Sequence, residues 1–409
     1  MQKNAFWKYP LQRRFLLDFY KTKSYNKGME QRMYFDHAAT TPLDKEVLLA
    51  MTPYLTEYFG NADSPHAFGR TAMNAVDLSR DKIAELIGAK PNEIYFTSGG
   101  TESDNWAFIG GARAKRKEGK TRVVLSAIEH HALLFAASQL QKEGFEVVYL
   151  PVNAGGEVEE NALQNAINPQ TAIVALMYVN NETGVMQPVQ KARELAHKNG
   201  ALFFTDAVQA APHLRLNVKE LGVDMLSFSG HKFYGPKGTG VLYIKNGTRV
   251  EKLIGGGEQE RGMRGGTLNV AGIVGLAKAY EIAVRDMQEN HKKVEMLSQL
   301  FLQKLQEIDG VKINGNRENA IPSVMNVRLG VENTAFLYRM DLRGAALSAG
   351  SACASASIKP SHVLTAMGLN ETQAGQSVRF SFGKENTVDE VLKCAEWTKE
   401  IVSGLVLGE

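Results

Sequence analysis

The sequence contains little cysteine and no hydrophobic run long enough to cross a membrane. Cys353 and Cys394 are the only cysteines among 409 residues, and they form neither a CxxC pair nor a Cys/His metal spacing. A disulfide framework and the common zinc sites are therefore excluded. No window reaches eighteen consecutive apolar residues, which excludes a membrane span. These absences predict a protein of a reducing, cytoplasmic compartment.

Neither sign of charge dominates the sequence. The 47 Lys and Arg residues nearly balance the 44 Asp and Glu residues, and the basic residues are scattered along the chain. Nucleic-acid binding is not predicted, because it needs a basic patch or stripe. The hydrophobic fraction of 44% and the charged fraction of 22% are typical of a globular protein. Chemistry on a small molecule is the better expectation.

The first 28 residues differ from the rest, because they are basic and aromatic with Asp18 as their only acid. This composition suits a transit peptide. Against that interpretation, the segment is poor in Ser, and Met29 and Met33 follow it closely. A short extension, or a start codon assigned too far upstream, is the alternative.

Apolar, β-branched runs alternate with helical patterns between about residues 70 and 245. This alternation predicts βαβ units and a mostly parallel sheet covered on both faces, the architecture of an α/β protein. The predicted strands lie in EIYFTS, TRVVLSA, FEVVYL, AIVALMYV, ALFFTDA, DMLSFS and GVLYIK.

A second, smaller α+β domain is predicted after a Gly-rich loop at 255–267. A long amphipathic helix at about 272–305 would bridge the domains. Short strands and a final helix from about residue 388 follow it. We expect a large domain at 44–285 and a small domain made of 29–43 and 286–409.

Three strand ends carry polar residues that suit one ligand. After EIYFTS, a turn with Gly99, Gly100 and Thr101 leads into a helix, where bare amides and close approach suit a phosphate. A purely structural turn is the alternative there, since the P-loop lysine and the GxGxxG spacing are both missing. Asp206 ends a buried strand, where an N-cap is the alternative role.

Lys232 follows the next buried strand, where a solvated loop charge is the commoner role of a lysine. A desolvated lysine is also a nucleophile for carbonyl groups. A phosphate cradle, an acid for a pyridinium nitrogen and a lysine are together what pyridoxal-phosphate binding requires. The combination predicts a pyridoxal-phosphate site with a Schiff base on Lys232.

The chain resembles the NifS/IscS-type cysteine desulfurases in nine motifs that occur in unbroken order from about residue 34 to residue 384. The motifs are DHAATTP, TSGGTESDN, EHHALL, NNETG, TDAVQA, SFSGHKFYGPKG, QERGMRGGT, SAGSACASASIKPSHVL and SVRFSFG. The resemblance implies the fold-type-I architecture of the class-V aminotransferases, with a mostly parallel seven-stranded sheet, and a homodimer. It also implies removal of sulfur from L-cysteine, with release of L-alanine.

The resemblance assigns roles to the motif residues around the cofactor. Lys232 would hold the cofactor and move the Cα proton, and Asp206 would pair with the pyridinium nitrogen. Asn181 and Gln209 would hydrogen-bond the ring oxygen. The cofactor phosphate would be bound by Gly100, Thr101, Ser229 and His231, and the partner subunit's phosphate by Thr267.

The resemblance also implies the residues that act on the substrate. His130 would stack on the cofactor ring and move protons, although a helix-start histidine is the alternative, and the adjacent His131 has no such role. Asn181 and Arg379 would bind the substrate, with Arg379 clamping its carboxylate through a planar two-pronged donor. An ordinary strand-edge charge is the alternative for Arg379.

Cys353 distinguishes the competing activities. It lies in the small-residue stretch GSACAS, which suits an exposed thiol, whereas Cys394 in the final helix suits a buried structural role. By the resemblance, the Cys353 thiolate attacks the substrate sulfur and becomes a persulfide. A selenocysteine lyase, an aminotransferase-like member and a catalytically idle assembly protein are the alternatives.

The chain departs from the family pattern at two loops and at its end. It has GNADS where GNPSS is frequent, and Val331-Glu332-Asn333 where a Gly-Glu pair is usual. It ends at Glu409, without the longer tail by which IscS-like members dock an iron–sulfur scaffold. The sulfur acceptor is therefore open among a scaffold, a tRNA-thiolation enzyme and a cofactor pathway.

Overall fold

A seven-stranded sheet with helices on both faces forms the centre of the structure, a computed structural model that describes residues 32–350 and 360–407. The described strands are β1 (Met33–Tyr34), β2 (Ile94–Thr97), β3 (Arg122–Ser126), β4 (Glu146–Leu150), β5 (Thr171–Ala175), β6 (Leu202–Asp206), β7 (Met225–Ser229), β8 (Gly240–Ile244), β9 (Lys312–Asn314), β10 (Val324–Arg328), β11 (Ala345–Ala346) and β12 (Ser377–Ser381).

Strands of the central sheet follow the order β2-β8-β7-β6-β5-β3-β4. Only β8 runs against its neighbours, so the prediction of a mostly parallel sheet of seven strands is confirmed for the described residues. Every residue of β5, β6, β7 and β8 is buried, as expected for strands that are covered on both faces.

Helices pack against both faces of this sheet. The described helices are α1 (Lys45–Thr56), α2 (Ala67–Ile87), α3 (Gly100–Arg116), α4 (His131–Lys142), α5 (Glu160–Ala166), α6 (Val189–Lys198), α7 (Val218–Leu221), α8 (Val270–Leu305), α9 (Asn333–Arg343), α10 (His362–Ala366), α11 (Glu371–Gly375) and α12 (Val388–Leu407). Helices α3 and α4 cover one face with Trp106 and Leu133, and α2 and α8 cover the other with Ile83 and Leu276.

A second apolar cluster surrounds the antiparallel sheet β12-β10-β9. Helix α8 joins the two clusters, because Ile273 packs in the first and Phe301 packs in the second. The predicted long helix and the predicted final helix are thus confirmed, whereas the domain limits stay a prediction. Among the described residues, no helix combines the length and the apolar character needed to cross a bilayer.

Candidate active site

The C-terminal ends of β2, β6 and β7 meet at one edge of the central sheet. Strands β6 and β7 are parallel neighbours, and β2 shares their direction because β8 is antiparallel to both β2 and β7. The polar residues that follow these three strands therefore face one cleft. Ligands of open α/β sheets bind at this edge.

The turn between β2 and α3 forms an anion cradle. Gly99 has φ 152° and ψ −178°, a conformation that is essentially restricted to glycine, and no side chain caps α3. The amides of the first turn therefore stay open to a ligand. A Cβ atom on Gly100 would lie 2.8 Å from a methyl group of Val208, so glycine permits the close packing of this turn.

Thr40, Thr101, Ser229, His231 and Lys237 line the cleft beside that turn. The Nδ1 atom of His231 lies 3.1 Å from the Oγ1 atom of Thr40. Burial lowers the pKa of His231 to about 4, with help from the charges of Lys232 and Lys237, so the imidazole is neutral at pH 7. The cleft therefore presents hydroxyl groups, amides and a neutral imidazole to a bound anion.

Lys232 ends a 3-10 turn that follows β7, and two backbone carbonyl groups hold its amine. The Nζ atom donates to the oxygens of Ala38 and Ala39 at 2.6 and 2.8 Å. The side-chain amide of the buried Gln209 donates to the same Ala38 oxygen at 2.8 Å. The structure thus brings Lys232 and Gln209 together through one acceptor.

Asp206 is buried at the end of β6, and its Oδ1 atom accepts a hydrogen bond from the Val208 amide at 2.8 Å. Burial raises the pKa of Asp206 to about 6, against the opposing effects of the Val208 amide and the Lys232 charge. A carboxyl group in this position stabilises a buried cation strongly. The bond to Val208 occupies Oδ1 in a local turn, while the ligand role of Asp206 stays a prediction.

His130 is the N-cap of α4, and its Nδ1 atom accepts from the Ala132 amide at 3.2 Å. Burial, followed by the Lys232 charge, lowers the pKa of His130 to about 4. The ring is therefore neutral, and its proton resides on Nε2. His131 instead packs against the ring of His362, with centroids 4.6 Å apart.

Arg379 is 1% exposed on the edge strand β12, so it is not an ordinary surface charge. Its guanidinium donates to Asp36 and to the backbone oxygen of Asn181, both at 2.8 Å. Its Nε atom has no hydrogen-bond partner among the described residues. A donor of this fork thus stays free for a further acceptor.

Two predicted site residues are not placed in this cleft by the described part of the structure. Thr267 is exposed and does not line the cleft of its own chain. Cys353 lies outside the described residues, as does the predicted N-terminal extension. Glu182 lies close to both ends of the undescribed segment. The Ser361 hydroxyl donates to its Oε2 atom at 2.6 Å, and a Cβ atom on Gly350 would lie 2.8 Å from that oxygen.

Cys394 is fully buried in α12, where burial raises the pKa of its thiol well above the usual range. Its backbone carbonyl oxygen accepts a hydrogen bond from the hydroxyl of Thr398 at 2.8 Å. The structural role expected for Cys394 is confirmed.

The motif DHAATTP contributes more to the site than the sequence indicated. Asp36 pairs with Arg379, Ala38 and Ala39 hold Lys232, and Thr40 contacts His231. The bridge between Asp36 and Ser381 positions this segment beside β12. The motif was visible in the sequence, but its pairing with a strand more than 340 residues away was not.

Residues 33–393 match the family model described as Aminotransferase class-V. The chain is 45% identical over 374 residues to "Cysteine desulfurase IscS" of Methanosarcina thermophila, covering 91% of this chain and 92% of the relative. It is 42% identical over 378 residues to "Putative cysteine desulfurase IscS 1" of Bacillus subtilis (strain 168), covering 92% and 100%.

Solved structures are similar over the same length. A structure described as "NIFS-LIKE PROTEIN" superposes with a TM-score of 0.86 at 36% identity, covering 91% of this chain and 100% of that chain. A second, "Apo structure of Cysteine Desulfurase from Thermococcus onnurineus NA1", has a TM-score of 0.80 at 28% identity and covers 91% and 95%.

Proposed function

The chain belongs to the class-V aminotransferase family, and we propose that it is a cysteine desulfurase that moves sulfur from L-cysteine to Cys353 and releases L-alanine. Relatives that are named cysteine desulfurases, at 42–45% identity over nine tenths of the chain, support this reaction. The observation that carries the proposal is Lys232 and Asp206 on neighbouring strands beside an uncapped helix start.

Pyridoxal phosphate is a trait of the family, and the donor set of the cleft fits it. The open amides of Gly100 and Thr101, with Ser229 and His231, suit the phosphate. Asp206 suits the protonated pyridine nitrogen, and Lys232 suits the aldehyde carbon. When bound, this group supplies an electron sink for the charge left at Cα.

The other side chains orient the reactants. With the cofactor bound, Asn181 and Gln209 would hydrogen-bond its ring oxygen, and the neutral His130 would stack on the ring and move protons at pH 7. Arg379 binds the substrate carboxylate through its guanidinium, alongside Asn181.

Lys232 then takes the Cα proton once substrate has displaced it. The Cys353 thiolate attacks the substrate sulfur, the carbon–sulfur bond breaks, and the sulfur stays on Cys353 as a persulfide. One proton supplied to Cβ, and the return of the proton to Cα by Lys232, complete L-alanine. The persulfide is then passed to an acceptor protein, such as an iron–sulfur scaffold or a tRNA-thiolation enzyme.

The proposal includes a homodimer, in which Thr267 of each subunit reaches the phosphate of its partner. The exposure of Thr267 and its distance from the cleft of its own chain support this arrangement. The cytoplasm is the proposed compartment.

Mass spectrometry after incubation with L-cysteine tests the proposal. We expect one added sulfur atom on Cys353 and equimolar L-alanine. Cys353→Ala should abolish sulfur transfer, while Cys394→Ala serves as the matched control because its thiol is buried. Undiminished L-alanine formation by Cys353→Ala would instead indicate a lyase such as a selenocysteine lyase. A protein that stays colourless with added cofactor would indicate an idle assembly protein.

A further inference from the structure

A buried carboxyl group that the proposed reaction does not use lies behind Asp206. Asp104 is on α3 and is 1% exposed. Its Oδ1 atom accepts a hydrogen bond of 2.6 Å from the hydroxyl of Ser227 on β7. No described Lys, Arg or His side chain lies within ion-pair distance of this carboxyl group.

Ser227 places Asp104 next to Asp206. Asp206 and Ser227 are directly paired across the parallel strands β6 and β7, which lie about 4.8 Å apart. Paired residues point to the same face of a sheet, and Phe204 and Met225, two positions earlier, both pack on the α3 face. Asp104, held by the Ser227 hydroxyl, and Asp206 therefore lie on the same face of the sheet, and the charge of Asp206 acts on Asp104.

A third carboxyl group belongs to this buried group of acids. Glu129 is fully buried, and its Oε1 atom accepts from the Ser126 hydroxyl and the Met177 amide at 2.7 and 2.8 Å. Its Oε2 atom has no partner among the described residues, and burial raises the pKa of Glu129 to about 8. Glu129 is thus protonated at pH 7.

Two neighbouring buried carboxylates cannot both ionise without strong repulsion. Asp206 has a backbone amide and the positive charge of Lys232 to stabilise its anion, whereas Asp104 faces Asp206 and Glu129. Burial, followed by the Asp206 charge, raises the pKa of Asp104 well above its usual range. The nearest ion pair on α3, between Glu102 and Arg264, belongs to a different part of the helix surface.

We propose that Asp104 is a positioning residue that stays a neutral carboxylic acid and thereby keeps the single buried negative charge on Asp206, where the pyridinium nitrogen binds. This inference rests on the proposed use of pyridoxal phosphate. Of the three buried acids Asp104, Glu129 and Asp206, the negative charge is thereby assigned to Asp206, the one that faces the cleft.

Three full-length variants test the charge state without reference to activity. Asp104→Asn keeps the shape and removes the ability to ionise, Asp104→Ala removes the side chain, and Asp77→Asn makes the same chemical change at an exposed position of α2. A carboxyl group with a raised pKa binds more protons folded than unfolded, so the wild type loses stability as the pH rises above about 4. Asp104→Asn should not lose this stability, because an amide does not ionise.

We therefore expect the melting temperature of cofactor-free Asp104→Asn, relative to wild type, to rise by about 4 °C or more between pH 5 and pH 8. Asp77→Asn should show no such trend. A difference that stays constant or falls with pH, or an Asp104→Asn protein that does not fold, would mean that Asp104 is ionised and would overturn the proposal.

Cofactor binding by the holoenzyme tests the positioning role. From the visible absorption of bound pyridoxal phosphate, we expect Asp104→Asn to match the wild-type dissociation constant within about twofold and Asp104→Ala to weaken binding about tenfold. Wild-type affinity in Asp104→Ala contradicts the role. Absence of binding by the wild type contradicts the proposed function instead, and the melting experiment distinguishes the two failures because it uses no cofactor.

Discussion

Asp36 holds the guanidinium of Arg379 in an ion pair of 2.8 Å, at a position where Arg379 is only 1% exposed. The same guanidinium donates to the Asn181 backbone, so its plane is fixed before any substrate arrives. Fixed two-pronged donors lose little freedom on binding a carboxylate. We therefore infer that Asp36 fixes Arg379 for its proposed role in binding the carboxylate of L-cysteine.

Replacing Asp36 tests this support. Asp36→Ala leaves the buried Arg379 charge without its partner, which costs about 3 kcal/mol of unfolding free energy. We expect the KM for L-cysteine to rise about tenfold, because a misplaced carboxylate clamp loses about 1.4 kcal/mol of binding. Denaturant unfolding and steady-state kinetics measure the two effects.

The matched control is Asp341→Ala, which removes a carboxylate from the exposed pair with Arg32. Exposed pairs contribute about 0–1 kcal/mol, so stability and KM should change little. Equal effects of the two substitutions on stability and KM would contradict a specific role of Asp36 in positioning Arg379.

Lys232→Ala is expected to abolish desulfurase activity and the covalent retention of pyridoxal phosphate. The phosphate cradle and Asp206 remain, so the cofactor should still bind but should be removed by dialysis. Absorption spectra before and after dialysis distinguish the two states. Lys219→Ala, on the exposed surface of α7, is the control and should keep the colour. A Lys232→Ala protein that stays coloured after dialysis would contradict the Schiff base.

His213 makes the protein sensitive to acid. Burial lowers the pKa of His213 to about 4, and Ser323 lies 2.9 Å from its Nε2 atom. The unfolded chain binds a proton near pH 6.5 while the folded chain does not, so stability falls as the pH drops from about 6.5 towards 4. We expect His213→Gln to make this part of the melting curve less steep but not flat, because the pKa values of His130 and His231 are lowered in the same way.

His66→Asn is the control for that experiment, because His66 is exposed and its charge does not act on His213. Thermal melting of both variants from pH 4 to pH 8 provides the comparison. A wild-type slope that His213→Gln leaves unchanged would show that other buried groups cause the acid sensitivity.

Glu260 anchors the loop that carries Thr267. Both carboxylate oxygens bind Arg80 at 2.7 and 2.9 Å, and one also accepts from the Phe96 amide. Glu260→Ala leaves Arg80 buried without a partner, which costs about 3 kcal/mol. We also expect the Glu260→Ala dimer to lose more affinity for pyridoxal phosphate than the Glu85→Ala dimer. Glu85→Ala is the control because it breaks the exposed pair with Lys82.

Unfolding curves and cofactor titration at a fixed protein concentration measure both expectations. Equal cofactor affinity in the Glu260→Ala and Glu85→Ala dimers would show that this loop does not contribute to cofactor binding in the partner's cleft.

Local patterns predicted much of the fold. The runs TAIVA and MLSFS are buried at every position, which is why an unbroken apolar run was sufficient to identify β5 and β7. Asp206 and Lys232 were identified for a similar reason, because Asp206 ends such a strand and Lys232 lies three residues beyond the end of another.

Contacts between distant segments were not predictable. Asp36 and Arg379 are separated by 343 positions, and their ion pair depends on the bridge that places Asp36 beside Ser381 of β12. The raised pKa of Glu129 likewise depends on its full burial, which outweighs the hydrogen bonds from Met177 and Ser126 and which no local pattern shows. Nothing in the spacing of these residues specifies which strands will be neighbours.

Helix α8 contributes its 36 residues to two different apolar clusters without an intervening loop. At 1.5 Å per residue, it extends over about 54 Å. Melting either cluster removes the packing that keeps half of this helix formed, and a helix is stabilised mainly by such packing. The two halves of the protein should therefore unfold in one cooperative transition, with a single calorimetric peak in place of two.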